Sequence, residues 1–234
     1  MTSDGAIINV SENFKTREEI VTDAIRAAIL RGQFRPGDKL DQQELADRLG
    51  VSRSPVREAL RTLVAEDLAI HYPHRGTVVR ERTMDELQEL LFVRMLLEGA
   101  AAKRAAPHMD DLRLRQLEAI IEEAEQSTDF ERILTLNNTF HITVYSAFEQ
   151  PQMISLIQSL RNKIAPYNRL YLEVKERKEI AWRDHRRIYE ACCLRDGELV
   201  EREVREHLEQ VFQGITIAIA AAQSNIESLS KRGG

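Results

Sequence analysis

Three arginines and three histidines are the residues whose type and spacing could do chemistry in this sequence. Arg53, Arg57 and Arg61 recur at intervals of four, which sets them in one stripe along a helix. Guanidinium groups in such a row can pair bidentately with phosphates or with the O6 and N7 edge of guanine. An isolated stripe of this kind is also compatible with a solvated helix face, so its meaning depends on what flanks it. His141, His185 and His207 fall on the inward stripes of three separate helical patterns, and Asn137 precedes His141 by one turn. A single inward histidine reads more readily as a satisfied core residue than as a ligand. Three of them with an amide in one bundle need partners for six ring nitrogens, and burying these unpaired is expensive. A divalent metal facing neutral imidazoles would satisfy them together and leave a position open for a ligand. A purely structural metal, no metal, and a three-histidine metalloenzyme are the other readings of the same residues. Against the enzyme, there is no HExxH motif, and the inward stripes carry no carboxylate that could act as general base.

The elements that must position the arginines can be read from periodicity and punctuation. Ile20, Val21, Ala24, Ile25, Ala28 and Ile29 recur at helical spacing until Gly32 ends the pattern. A turn at Arg35 to Asp38 precedes a short helix. Asp41 is expected to cap it, with Glu44 closing a capping box, Leu45 and Leu49 facing inward and Gly50 as the C-cap. Ser52 is expected to cap a third helix, whose apolar face is Val56, Ala59, Leu60, Leu63 and Val64. Ala69–Tyr72 and Thr77–Val79 then read as a hairpin around Pro73 to Gly76. Helix, short helix, arginine-bearing helix and β-wing in that order describe a winged helix-turn-helix, so the stripe can enter a DNA major groove. Arg75 and Gly76 at the hairpin tip could reach the backbone or the neighbouring minor groove.

After Thr83, which forms a capping-box pattern with Glu86, the sequence is helical to about Ser228, with breaks expected near Pro107, Ser127, Pro151, Pro166 and Asp196. The fold class is therefore mainly α. A loose arm over 1–14 leads into a winged helix-turn-helix over 15–82, followed by an all-α antiparallel bundle of roughly six helices over 83–230.

The net charge of −5 is unusual for a DNA binder until it is located. Residues 1–82 hold thirteen basic and thirteen acidic side chains, so the whole deficit lies behind the arginine stripe. A small reading head on a larger acidic body has this distribution. No apolar run approaches the length of a membrane span, and no signal-peptide pattern is apparent, so no membrane partner and a cytoplasmic location are expected. Cys192 and Cys193 are adjacent, staple no loop and read as small core residues. Trp182, Tyr167 and Tyr171 could line a pocket or fill the core.

The run Gln43 to Leu60, QELADRLGVSRSPVREAL, resembles the DNA-binding signature of the GntR family of bacterial regulators, and the likeness extends from Ile29 to Gly76. The resemblance implies that Arg53 and Arg57 are the principal DNA contacts, assisted by Ser54 and Gly76. Some relatives in the FadR branch carry a further DNA-contacting arginine where this chain has Gln43, which can hydrogen-bond but brings no charge. The candidate DNA-contacting set is Gln43, Ser52, Arg53, Ser54, Arg57, Arg61, Arg75 and Gly76.

Farther on, Arg94-x-x-Leu97-Glu98, then Asn137-x-x-x-His141, His185 and His207, resembles the FCD effector domain of the FadR subfamily. That resemblance implies a divalent metal, zinc or nickel, held by Asn137, His141, His185 and His207, with a small carboxylate effector resting on it. Aspartate is usual at position 137, and asparagine offers a carbonyl oxygen without the charge. Weaker metal retention and a more positive site are expected. Arg94 and Arg161 are candidates to clamp the carboxylate, although Arg94 could equally pair with Glu98 one turn on. The expected mechanism is a homodimeric repressor on a palindromic operator of double-stranded DNA, its affinity set by the effector.

Overall fold

The computed structural model describes residues 15–172 and 175–232, and the expected arm over 1–14 lies outside the described residues. Helices α1 (Arg17–Leu30), α2 (Gln42–Leu49) and α3 (Arg53–Ala65) precede strands β1 (Ala69–Tyr72) and β2 (Gly76–Val79). Then come α4 (Met84–Ala105), a short 3₁₀ turn at Ala106–His108, α5 (Asp111–Gln126), α6 (Phe130–Tyr145), α7 (Pro151–Leu172), α8 (Lys175–Leu194) and α9 (Gly197–Arg232).

The head is built around one apolar cluster in which Val21, Ile25 and Ile29 of α1 meet Val56, Leu60 and Leu63 of α3. Thr16 and Glu19 close a capping box that starts α1. Asp41 caps α2 through the amides of Gln43 and Glu44. Glu44 does not complete the expected box and pairs instead with Arg48 at 3.5 Å. Gly50 ends α2 in the left-handed region at φ 65, where a Cβ is disfavoured. Leu49, expected inward, is 37% exposed, because the chain turns at Gly50 and Val51 packs on the core in its place. Strands β1 and β2 pair antiparallel with Ala69 opposite Val79 and Tyr72 opposite Gly76. The amide of Leu40 donates to the carbonyl of Thr77 at 2.9 Å, tying the α1–α2 connection to the wing.

Thr83 and Glu86 form the expected capping box at the start of α4. The bundle core runs through Leu117, Ile121, Phe140, Val144, Ile188, Val200 and Val204, all buried. Cys192 belongs to this core while Cys193 is exposed, since neighbours on a helix point about 100° apart. The break expected at Pro166 is absent: α7 continues to Leu172 with the proline inside it. Proline deletes one helical hydrogen bond and crowds the preceding turn, at a cost of roughly 3 kcal/mol. Burial on both sides of it offsets that cost, because Ile164, Tyr167 and Tyr171 share a cluster with Leu87, Ala181 and Ile215.

The head rests on α7. Asp67, in the left-handed region at φ 61, receives Arg80 at 3.1 Å, Arg82 at 3.0 Å and Lys163 of α7 at 3.1 Å. Burial raises the Asp67 carboxyl, but Lys163 and Arg82 outweigh it and hold the group below its usual range. The buried amide of Arg82 donates to the Tyr167 hydroxyl at 2.8 Å. Arg169 binds the carbonyl of Arg31 at the end of α1.

Candidate functional site

The α3 helix presents Arg53, Ser54, Arg57 and Arg61 to solvent while Pro55, Val56, Ala59 and Leu60 face the core. Arg53 has no ion-pair partner among the described residues. Arg57 and Arg61 both contact Glu58, at 3.1 and 3.0 Å, and hold its carboxyl below the usual range, Arg57 first. Ser52 occupies the N-cap of α3, but its hydroxyl makes no cap hydrogen bond, contrary to expectation. The first-turn amides of α3 therefore lack a side-chain acceptor. Gln43 is exposed on α2 and donates to Asp47 at 2.9 Å. Arg75 is exposed at the wing tip, and Gly76 beside it takes φ 82, a conformation that only glycine adopts freely. Between this head and α7 lies a groove of about 920 Å³ lined by Arg35, Arg75, Arg80 and Arg82 among others. None of the three histidines is among the residues lining it.

The three histidines converge as their separate stripes predict. His141 from α6, His185 from α8 and His207 from α9 are buried, and their ligand nitrogens lie within 4.8 Å of one another. Nε2 of His141 and Nε2 of His185 are 3.1 Å apart. Burial pushes both rings well below the ordinary imidazole value, helped by nearby Arg161 and the neighbouring histidines. They are neutral, as ligands must be. Nδ1 of His185 is buried without a hydrogen-bond partner. Zinc–nitrogen bonds of about 2.0 Å place nitrogens around one ion roughly 3.3 Å apart, so the His141–His185 pair has the spacing of two ligands of one ion, with His207 close enough to be a third.

Asn137 lines the same cavity as His141 and His207, together with Arg94, Arg161, Asn168 and Tyr171. Among the described residues no carboxylate lines it. The cavity measures about 20 Å³, which suits a water or an ion. Both arginines are tied from behind by Glu98, Arg94 at 2.5 Å and Arg161 at 2.9 Å. The two readings of Arg94, cavity wall and salt bridge, therefore hold together. Burial raises the Glu98 carboxyl, yet the two guanidinium groups and the bonds from Arg94 and Tyr145 hold it below the usual range.

Sequence reasoning named Tyr171 as a pocket or core residue but missed Asn168, Tyr145 and Asp184. Asn168 Oδ1 and the Tyr171 hydroxyl are buried without partners among the described residues on the cavity-lining part of α7. Tyr145 contacts both Glu98 and His141. Asp184 lies 3.4 Å from Nδ1 of His207, which corrects the expectation that no carboxylate stands beside the histidines. It sits behind the ring, in the place from which a carboxylate orients a metal-binding imidazole. The spacing of Tyr145, four residues after His141, was the available signal; Asp184 next to His185 gave none, because it serves a histidine on another helix.

Comparison with known proteins agrees with this architecture. The model of bacterial regulatory proteins of the gntR family matches residues 17–79, and that of the FCD domain matches residues 89–210. The chain is 28% identical over 205 residues to the HTH-type transcriptional regulator YdhC of Bacillus subtilis, covering 86% of this chain and 92% of that one. It is 28% identical over 197 residues to the HTH-type transcriptional repressor RspR of Escherichia coli, covering 82% and 85%. The solved structure of Escherichia coli McbR/YncC superposes with a TM-score of 0.78 at 24% identity, over 89% of this chain and 100% of that one, and shows the same fold. These relatives are regulators rather than enzymes, and no helix among the described residues is long and apolar enough to cross a membrane. With an arginine-faced winged helix-turn-helix in front and a histidine-centred bundle behind, this chain belongs to the GntR family of DNA-binding transcription regulators and carries an FCD domain.

Proposed function

We propose that this protein is a homodimeric repressor of the FadR branch, acting in the cytoplasm on a palindromic operator. A small carboxylate-bearing metabolite, bound beside a divalent metal in the bundle, sets its operator affinity. Repression follows the relative RspR, whose name states it. Arg53, Arg57 and Ser54 read base edges and phosphates, with Arg61, Arg75, Gln43 and the open amides after Ser52 positioning the helix on the backbone. His141, His185, His207 and the carbonyl oxygen of Asn137 would hold the metal, zinc or nickel suiting such nitrogen and oxygen donors. When bound, the ion supplies positive charge and a coordination site for an anion. Arg94 and Arg161 bring donors to the same anion, and Asn168 and Tyr171 offer hydrogen bonds to its polar remainder.

The observation that carries this reading is the double duty of α7. One side contributes Arg161, Asn168 and Tyr171 to the cavity, and the other holds the head through Lys163 and Tyr167. A ligand larger than the 20 Å³ cavity must displace its walls, and a shift of α7 moves the head. Operator affinity then changes by the ligand's differential affinity for the two arrangements.

Selection from random duplexes, followed by anisotropy titrations with zinc and a panel of small carboxylates, tests the proposal. The expected result is two symmetric half-sites and an affinity that responds to one carboxylate only with metal present. A single asymmetric half-site, or indifference to every carboxylate, counts against it. The tight cavity also favours a second reading, a purely structural metal. His185→Ala separates the two: a folded, DNA-binding but unresponsive protein supports sensing, whereas unfolding supports structure.

A further inference from the structure

Glu98 is completely buried and accepts hydrogen bonds from three side chains. Arg94 Nε donates to Oε1 at 2.5 Å, while Arg161 Nη1 and the Tyr145 hydroxyl donate to Oε2 at 2.9 and 2.7 Å. The Tyr145 oxygen also lies 3.2 Å from Nδ1 of His141. These contacts fix where the hydrogens are. An ionised carboxylate only accepts, and a phenol has a single proton. Tyr145 spends that proton on Glu98, so its second bond must be accepted, and Nδ1 of His141 must carry the hydrogen that fills it. Nε2 of His141 is left as a lone pair.

The rest of the centre agrees with that assignment. In the metal-free centre, with Nε2 of His141 as acceptor, Nε2–H of His185 fills the 3.1 Å contact, a hydrogen that must leave that nitrogen when a metal binds there. His185 then has a bare lone pair at Nδ1, the buried ring nitrogen that has no hydrogen-bond partner among the described residues. Tyr145 has little freedom to do otherwise, since it is completely buried and its hydroxyl is held by Glu98.

We propose that Glu98 and Tyr145 form a positioning relay that presents His141 to the metal through Nε2, with Arg94 and Arg161 holding Glu98 in place behind it. The proposal rests on the metal reading above but assigns its new roles to Glu98 and Tyr145, neither of which is among the residues lining the cavity. Partners of this kind orient the imidazole and raise its basicity, and their loss typically weakens metal binding by roughly 10–100-fold.

The test uses the full-length protein and two measurements. Long-range ¹H–¹⁵N spectra, recorded after chelator treatment, report the tautomer of His141. A competition titration with a chromophoric chelator reports zinc affinity. The wild type is expected to show His141 protonated at Nδ1. Tyr145→Phe keeps the ring, and is expected to lose that single tautomer and to bind zinc roughly 10–100-fold more weakly, with its circular dichroism spectrum retained. A merely structural Tyr145 lowers the melting temperature without moving the tautomer. His141 protonated at Nε2 in the wild type overturns the relay, as does a folded Tyr145→Phe variant with wild-type zinc affinity. Should the wild type take up no zinc, the metal reading falls while the tautomer still decides the relay.

Discussion

Arg161 and Tyr167 lie on the same helix, α7, and hold opposite partners: Arg161 donates to Glu98 at 2.9 Å inside the bundle, and Tyr167 accepts from the backbone of Arg82 at 2.8 Å under the head. The helix between them contains Pro166, whose missing amide leaves one carbonyl without its usual helical donor. A displacement felt at Arg161 therefore reaches the head within two turns of helix.

Tyr167→Phe tests that route. The variant leaves the Arg82 amide buried without its acceptor, a loss of about 1–3 kcal/mol if the joint stays closed. Faster hydrogen exchange at Arg82 and loss of effector control are expected, with metal content unchanged. Retained control in a variant that exchanges faster sinks the α7 route.

Substitutions on α3 should not be equivalent. Arg53→Ala or Arg57→Ala is expected to cost about 1–3 kcal/mol of operator affinity, roughly 10–100-fold. Arg61→Ala should cost less, because Arg61 lies two turns beyond Arg53 on α3 and a recognition helix meets base edges chiefly through its N-terminal residues. Anisotropy titrations at several salt concentrations check this. A phosphate contact lowers the salt slope by about one, and a base contact relaxes specificity at one position.

Asn137 supplies an oxygen to the cavity but no charge. Asn137→Asp is expected to retain more metal through purification without chelator and to weaken the attraction for carboxylates. Metal analysis of both proteins decides it, and equal occupancy counts against the charge argument.

The buried histidines make stability depend on pH in a definite direction. His141 and His185 stay neutral in the fold well below the ordinary value of 6.5, whereas the unfolded chain takes up protons near 6.5. The unfolded state binds more protons below that pH, so stability is full above it and falls as pH drops, by up to about 1.4 kcal/mol per unit for each histidine. Urea unfolding of chelator-treated protein between pH 8 and 5 measures this. A flat profile contradicts the neutral assignment.

Tyr171 carries a buried hydroxyl without a partner among the described residues. Tyr171→Phe is therefore expected to be neutral or stabilising in thermal unfolding without effector. Effector control should weaken if the hydroxyl meets the ligand. Destabilisation by more than about 1 kcal/mol implies that a water or another group already satisfies it.

Much of this protein was legible in the residues themselves. Alternating and helical periodicities, Gly50, Gly76 and the capping box of Thr83 with Glu86 are local signals, because the interactions behind them span only a few residues. The arginine stripe of α3 needs only the 3.6-residue repeat to be placed. The histidines were found on inward stripes for the same reason. Pro166 shows where local reasoning fails, since the breaker is overruled by packing from α4, α8 and α9 that no local window contains.

The sequence by itself determined the order of elements, the charge on the reading helix and the inward direction of three histidines. Each of these follows from spacing along a single helix or hairpin. Only the tertiary structure decided that Glu98 meets Arg161 and Tyr145, that Asp184 backs His207 rather than its neighbour His185, and that Asp67 receives Lys163. These contacts join residues from different elements. Their geometry depends on how whole helices pack, a property of the fold and not of spacing.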